Sequence, residues 1–354
     1  MKRSIMAMFL ILILSFCGIV PSTTIPVNAK ANKPIVVVID PGHGGPGDSS
    51  GDLGAQYNGI TEKDINLQVA TAMKAELEKY DNVTVYLTRS TDQKISLVDR
   101  AAFAQSVNAD FLFSIHFNAS KDHIFYGSEV WSSAFGSFYQ KGNDFGKIEL
   151  EELGSLGLYQ KGVKTKLNAK GIDYYGVIRA CTERNIPSVI IEHAYLDHGL
   201  DVTKVKGANF INTLGVKDAT AVAKYFKLSS SKTGANFSNY KYAATPAPAG
   251  PMSNDTSTPD VCDIKVLATD TSNGNVLVEM TTKDNQTPII YFSYSYDGGK
   301  TYSTLQMWDR SKPTQSFNVK VPSGLENPSI KCRAYNNYEL FTESNAVPLQ
   351  TFRY

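Results

Sequence analysis

Three residues of this chain have side chains suited to holding a catalytic metal ion: His43, Glu62 and His116. Two imidazoles and one carboxylate form a recognised ligand set for hydrolytic zinc, with a fourth position left for water. Because they come from three separate segments, their spacing alone is weak support. His43 lies in Asp40-Pro-Gly-His-Gly-Gly45, where the glycines let the backbone turn tightly and leave an imidazole accessible. Taken singly, it reads equally as an exposed loop residue. Glu62 falls in the first turn of an expected helix, where any carboxylate is favoured by the helix dipole. His116, in Ser114-Ile-His-Phe-Asn118, reads equally as a satisfied core histidine. Glu192 adds a carboxylate at the end of a further apolar run. No two cysteines stand at zinc-ribbon spacing, so a metal site must be built from histidine and carboxylate.

These residues need a scaffold that gathers distant segments. Residues 35–39 are continuously apolar, the pattern of a strand buried on both faces. Residues 83–87, 111–115, 128–131 and 188–191 read as further strands. Between them, Thr61-Glu-Lys-Asp64 and Ser96-Leu-Val-Asp99 read as capping boxes that open helices. After the first, Ile65, Val69, Ala72, Met73 and Leu77 recur at helical spacing. The class is therefore α/β, a mostly parallel sheet flanked by helices. His43, Arg89, His116 and Glu192 each follow or end one of the strands. Open sheets of this class bind ligands beyond the carboxyl ends of their strands.

The chain has 354 residues, enough for about two domains. Residues 1–29 read as a secretory signal peptide: Lys2 and Arg3, then an uncharged apolar stretch, then Val27-Asn28-Ala29 before the expected cut. The apolar stretch of about 16 residues is short against the ~20 that span a bilayer. An uncleaved anchor and a lipid-modified Cys17 are the weaker alternatives. Removing Lys2 and Arg3 takes the formal charge from +1 to −1, which gives no basic excess for nucleic acid. The mature chain is expected to be secreted, with no membrane association after cleavage. Residues 33–228 form the first domain, 229–260 a Ser/Thr/Pro-rich linker and 261–354 a small all-β sandwich of immunoglobulin-like or fibronectin-like type. The modules are expected to fold independently. Tyr291, Phe292, Tyr294, Tyr296 and Trp308 suggest either a glycan-binding surface or ordinary core. Cys262 and Cys332 share inward strand faces, which leaves a disulfide open, with Cys181 free. Residues 132–158 leave open a regulatory segment over the cleft.

Four segments in order resemble the zinc-dependent N-acetylmuramoyl-L-alanine amidases of the amidase-3 family. They are Val38-Ile-Asp-Pro-Gly-His-Gly-Gly45, Gly59-Ile-Thr-Glu-Lys-Asp-Ile-Asn-Leu67, Ser114-Ile-His-Phe-Asn-Ala119 and Ile190-Ile-Glu-His-Ala-Tyr-Leu196. Leu87-Thr-Arg89, Arg100 and Gly127-Ser-Glu129 also fit, and the resemblance spans about residues 34–227. It implies one Zn2+ per chain held by His43, Glu62 and His116, with Glu192 as the catalytic carboxylate. It implies peptidoglycan as substrate, cut at the amide between N-acetylmuramic acid and L-alanine of the stem peptide, in the bacterial cell wall or outside the cell. Asp40 is expected to orient His43. Arg100 and Asn118 are left as structural. His193 is expected on the opposite face from Glu192, and His123 and His198 at the surface. The stretch His193-Ala194-Tyr195-Leu196-Asp197-His198 departs from the family's usual Gly-Phe run. Another zinc-dependent cell-wall peptidase and a catalytically inactive wall-binding protein are the alternatives.

Overall fold

The computed structural model describes residues 33–48 and 50–354. The signal-peptide reading of residues 1–29, with Cys17, lies outside the described residues. The N-terminal half comprises β1 (Ile35–Pro41), β2 (Gln56–Tyr57), β3 (Ile60–Thr61), α1 (Glu62–Leu77), β4 (Val83–Leu87), α2 (Leu97–Ser106) and β5 (Phe111–Asn118). It continues through β6 (Ser128–Ser132), α3 (Gly136–Gly154), β7 (Gln160–Lys164), α4 (Gly176–Thr182), β8 (Ser188–Tyr195), α5 (Gly199–Val205) and α6 (Phe210–Phe226). One six-stranded sheet runs β4-β1-β5-β8-β6-β7. β4, β1, β5 and β8 are mutually parallel, and β6 turns antiparallel to β8. That reversal brings the start of β6 to the carboxyl end of β8, with Glu129 paired opposite Glu192.

Both sheet faces are covered. Val37, Ile39, Phe111 and Phe113 belong to a core with residues of α1, α3 and α6, while Val38, Leu112 and Ile190 cluster with residues of α2 and α4. α1 and α6 approach closely at Gly215, where a Cβ would come within 2.5 Å of the Val69 carbonyl. Residues 132–158 do not cover the cleft. Their helix α3 buries Phe145, Ile148, Leu150 and Leu153 against the sheet. Ser96 caps α2 as expected, its Oγ accepting from the Asp99 amide at 3.1 Å. Thr61 does not cap α1 with its side chain. The hairpin β2–β3 leads directly into α1, and the carbonyls of Ala55 and Leu53 take the amides of Glu62 and Lys63 instead.

The C-terminal half contains β9 (Val261–Asp270), β10 (Asn275–Lys283), β11 (Ile289–Ser295), β12 (Gln306–Met307), β13 (Thr314–Lys320), β14 (Ser329–Asn336), β15 (Phe341–Glu343) and β16 (Val347–Pro348). One sheet runs β13-β10-β9 and the other β12-β11-β14-β15, with Val276, Val278, Phe292, Trp308 and Ile330 in a common core. The aromatic residues therefore make no exposed glycan platform: Tyr291, Phe292 and Trp308 are buried, and Tyr294 and Tyr296 are packed against that core. Cys181, Cys262 and Cys332 are all free thiols. Cys262 Sγ faces the Cys332 carbonyl at 3.7 Å rather than its sulfur.

Residues 229–260 are strapped to the N-terminal half. Phe237, Tyr240 and Tyr242 pack on its core, the Thr245 amide donates to Asp144 at 2.6 Å, and the Met252 amide donates to the Ala134 carbonyl at 2.8 Å. The two halves then share a core of their own, in which Phe125, Tyr126 and Tyr195 meet Ile290, Tyr291, Leu305 and Tyr335. Tyr159 Oη donates to the Ile290 carbonyl at 2.7 Å, and Tyr291 Oη donates to the Tyr126 carbonyl. The modules thus pack as one body. Aromatic rings spaced among serines and prolines each found a partner.

Tyr291 is fully buried at this junction. Tyr291→Ala should lower unfolding free energy by about 3–5 kcal/mol, the usual loss for a large buried ring. Tyr291→Phe, which removes one hydrogen bond, should cost about 1 kcal/mol. Denaturant midpoints test both. Equal, small shifts would show that the junction contributes no stability.

Candidate metal centre and hydrolytic site

The loop after β1 is held by two buried arginines. Arg100 Nη1 donates to Asp40 Oδ1 at 2.6 Å and to the Pro41 carbonyl at 2.8 Å, and Nη2 donates to the His43 carbonyl at 2.8 Å. Arg89 donates to the carbonyls of Pro41, Gly42 and Lys63. It is thus a backbone clamp, not a group facing a ligand. Burial alone would raise the Asp40 pKa; Arg100 and the Thr88 and Ser114 hydroxyls outweigh it and hold the pKa below the usual carboxylate range. So fixed, the loop carries His43 at φ 61°, a left-handed conformation uncommon for any residue but glycine.

His43, Glu62 and His116 are brought together. Glu62 Oε1 lies 3.1 Å from His43 Nε2 and 3.0 Å from His116 Nδ1. Its carboxylate also accepts from the Ala55 amide at 2.7 Å and the Phe117 amide at 3.1 Å. Burial pushes the Glu62 pKa up, but hydrogen bonds and charge from both histidines outweigh it and draw it well below normal. His43 shifts upward: burial opposes its charge, and Glu62 and Asp52 more than compensate. The partner on its other ring nitrogen is Asp52, with Oδ1 2.8 Å from Nδ1. Asp40 does not orient it, because its oxygens are taken by Arg100, Thr88 and Ser114. Asp52 reaches His43 through a loop that folds back on Gly44 by paired backbone hydrogen bonds, a return that no local spacing announces.

Three donor atoms within 4.8 Å of one another, one on a depressed carboxylate, suit a small divalent cation. Glycines leave the necessary room. A Cβ on Gly42 would lie 2.2 Å from the His116 ring, and one on Gly54 would lie 2.4 Å from Glu62 Oε2.

Glu192 completes the edge. In register it faces His116 on one side and Glu129 on the other. Its Oε2 is buried without a hydrogen-bond partner. Burial, then the charges of Glu62 and Glu129, push its pKa well above the usual range. Glu129 has the opposite environment. Lys161 and Lys164 Nζ lie 3.1 and 2.6 Å from its Oε2, and Asn118 and Trp131 donate to its Oε1. Burial raises its pKa, but the lysines outweigh that and bring it down to about 2. Two adjacent carboxyls are thus split into a fixed anion and a more basic group. Glu129 lies in the Gly127-Ser-Glu129 segment that fits the family, but nothing in the sequence pairs it with Lys161 and Lys164. β7, Gln160-Lys-Gly-Val-Lys164, has no apolar alternation to reveal it.

His193 points to the opposite face, as expected. Its Nδ1 donates to the His116 carbonyl at 3.0 Å and its Nε2 to Asp218 at 3.1 Å. Glu149 joins these two in a second close group. Both His193 nitrogens are engaged, so no lone pair is left for a metal. His123 is exposed and bonded to Asp197, whereas His198 is half-buried, stacked on Tyr126 at 4.9 Å.

Residues 37–224 match the family described as N-acetylmuramoyl-L-alanine amidase. The chain is 31% identical over 201 residues to the N-acetylmuramoyl-L-alanine amidase CwlM of Bacillus licheniformis, covering 55% of this chain and 70% of that protein. It is 32% identical over 197 residues to the sporulation-specific N-acetylmuramoyl-L-alanine amidase of Bacillus subtilis (strain 168), covering 55% and 69% respectively. Among solved structures, Cwp6 from Clostridium difficile aligns with a TM-score of 0.50 at 28% identity, over 55% of this chain and 30% of that one.

Glu149 supplies a pH test. Both its oxygens are buried without a donor, and burial, then Asp218, raise its pKa well above normal. The folded state therefore binds this proton more tightly than the unfolded state. The stability linked to it is fully present below the unfolded carboxylate pKa and is lost as pH rises through the raised folded value. Glu149→Gln should gain in melting temperature over wild type steadily from pH 5 to pH 8. A difference that does not grow with pH would show that Glu149 is not held protonated.

Proposed function

The chain belongs to the N-acetylmuramoyl-L-alanine amidase family, and from that premise we propose that it is a secreted, zinc-dependent peptidoglycan hydrolase. The bond cut is the amide between N-acetylmuramic acid and L-alanine of the stem peptide. His43, Glu62 and His116 would hold the zinc. When bound, the ion supplies Lewis acidity toward the scissile carbonyl and acidifies a coordinated water. Secretion is supported by the basic and apolar opening of the sequence, residues 2–20, and by Val27-Asn28-Ala29. Among the described residues no helix is long and apolar enough to cross a membrane.

One observation carries the mechanism: Glu192 has a buried, unpartnered carboxyl oxygen beside the converging triad. A carboxyl with a raised pKa accepts a proton readily and holds it until a stronger base appears. Glu192 takes the proton of the attacking water as the carbon–oxygen bond forms. It then delivers that proton to the nitrogen as the carbon–nitrogen bond breaks, leaving a lactyl carboxylate and a free L-alanine amine. Asp52 fixes the His43 ring, while the Phe117 and Ala55 amides fix the Glu62 carboxylate. Glu129, tied to two lysines, stays ionised throughout and keeps negative charge beside Glu192.

Glu192→Gln should lower turnover on purified wall by about 10²–10⁴-fold, the usual contribution of general acid–base catalysis. Zinc content by elemental analysis should stay near one per chain. His116→Ala should lose metal as well as activity. If Glu192→Gln also loses zinc, Glu192 is a ligand; if it keeps full activity, the proton carrier lies elsewhere. Mass spectrometry of released muropeptides should show a new N-terminal L-alanine. A different cut would replace this reading with that of another wall peptidase.

A further inference from the structure

Beside Glu192, on the β6–β7 side of the sheet edge, lies a cavity of about 390 Å³. That is within the size range of small-ligand sites. Its floor includes Glu129 and Asn118 from the catalytic half, and its far wall is not catalytic domain at all. Asn254 to Thr256 of the strap and Tyr338 to Leu340 of the β14–β15 turn close it. The turn is deliberately braced. Asn336 Oδ1 accepts from the amides of Tyr338 and Leu340 at 3.0 and 3.1 Å. Glu339 is held at φ 68°, a conformation that costs a non-glycine residue energy. It points into the catalytic half, where it accepts from Tyr195 Oη at 2.6 Å and pairs with Lys161. Tyr338 Oη donates to the Thr165 carbonyl at 3.0 Å.

The charges of this cavity do not all cancel. Glu129, Lys161, Lys164 and Glu339 satisfy one another. Lys166 also lines the cavity, yet among the described residues no carboxylate lies within ion-pair distance of it. Its ammonium sits 4.2 Å from the centre of the Tyr174 ring. Asp255, the remaining acid of the cavity, has its oxygens filled by Ser257, Thr287 and Asn336. The open valence is therefore a single cation. Trp131 is covered by Tyr175, with ring centres 4.9 Å apart, so it is no platform for a sugar.

We infer that this cavity binds the peptide arm of the substrate, with Lys166 taking a carboxylate of that arm and the β-module supplying the outer wall. The inference rests on the hydrolytic reading above. The scissile amide joins a sugar to a peptide, and of these arms the peptide carries the carboxylates. The β-module acts here as part of the substrate site and not as a separate anchor.

The test uses the full chain with zinc and two soluble muropeptides, one with free stem-peptide carboxylates and one with them amidated. Wild type should show a KM about tenfold lower for the free form. Lys166→Ala should lose that preference, with kcat changed less than twofold. Tyr338→Ala should raise KM for the free form in the same direction, while Tyr338→Phe, which keeps the ring, should raise it less. Calorimetric titration of the free stem peptide gives a readout independent of cleavage, and Lys166→Ala should weaken that binding about tenfold. If Lys166→Ala leaves both KM values and peptide binding unchanged, the inference is overturned. If KM follows glycan length instead of carboxylate charge, the cavity holds the sugar arm and the inference is likewise overturned. Peptide binding that depends on Lys166 together with cleavage of another bond would sustain the inference and sink the amidase reading.

Discussion

Four carboxyl groups gather at one edge of one sheet, and among the described residues only three of them have a basic partner. Asp40 has Arg100, Glu62 has two histidines, and Glu129 has two lysines. Glu192 has none. A buried carboxylate is costly unless it is paired and hydrogen-bonded. Much of the architecture around this edge is therefore the means of pairing three acids while leaving the fourth free. The Arg100 pair fixes the loop that presents His43. The histidines meet at Glu62 because α1 begins at the mouth of β5. The lysines come from β7, the edge strand paired to β6 on the side away from β8.

The parts of this arrangement that were readable in sequence are those in which a residue and its element share a segment. His43 follows β1, Glu62 opens α1, His116 ends the apolar part of β5, and Glu192 ends that of β8. Each is local, and each lies within a motif. The face of His193 was also readable, because alternation along a strand is strict. Partners contributed from elsewhere were not readable. Asp40 is nearer in sequence to His43, yet Asp52 orients that ring, because a loop bridge to Gly44 outweighs proximity. Glu129 lay inside a noted motif, but its role depends on lysines from a strand with no apolar signature.

The packing of residues 229–260 was hidden for a related reason. Composition over residues 229–260 is dominated by Ser, Thr, Ala and Pro, and averaging hides single rings. Phe237, Tyr240 and Tyr242 each dock separately on the catalytic half. The same averaging hid the junction beyond it. Tyr291 reads as one aromatic residue in a tyrosine-rich strand, but its strand face is the one turned toward Tyr126 and Tyr159. Strand alternation reveals two faces and cannot say which of them meets another domain.

Lys161 and Glu339 are 178 residues apart in the chain. This separation sets an order of assembly. Synthesis delivers residues 33–228 before residues 261–354, and domains tend to fold as they appear. At that stage the Lys161 ammonium has Glu129 but not its second carboxylate, and the rings of Phe125 and Tyr126 face water. The counter-ion arrives only once the β14–β15 turn has been made. Completion of this edge thereby waits for the β-module, and a chain lacking residues 261–354 would bring His43, Glu62 and His116 together without the outer wall that Tyr338 to Leu340 supply.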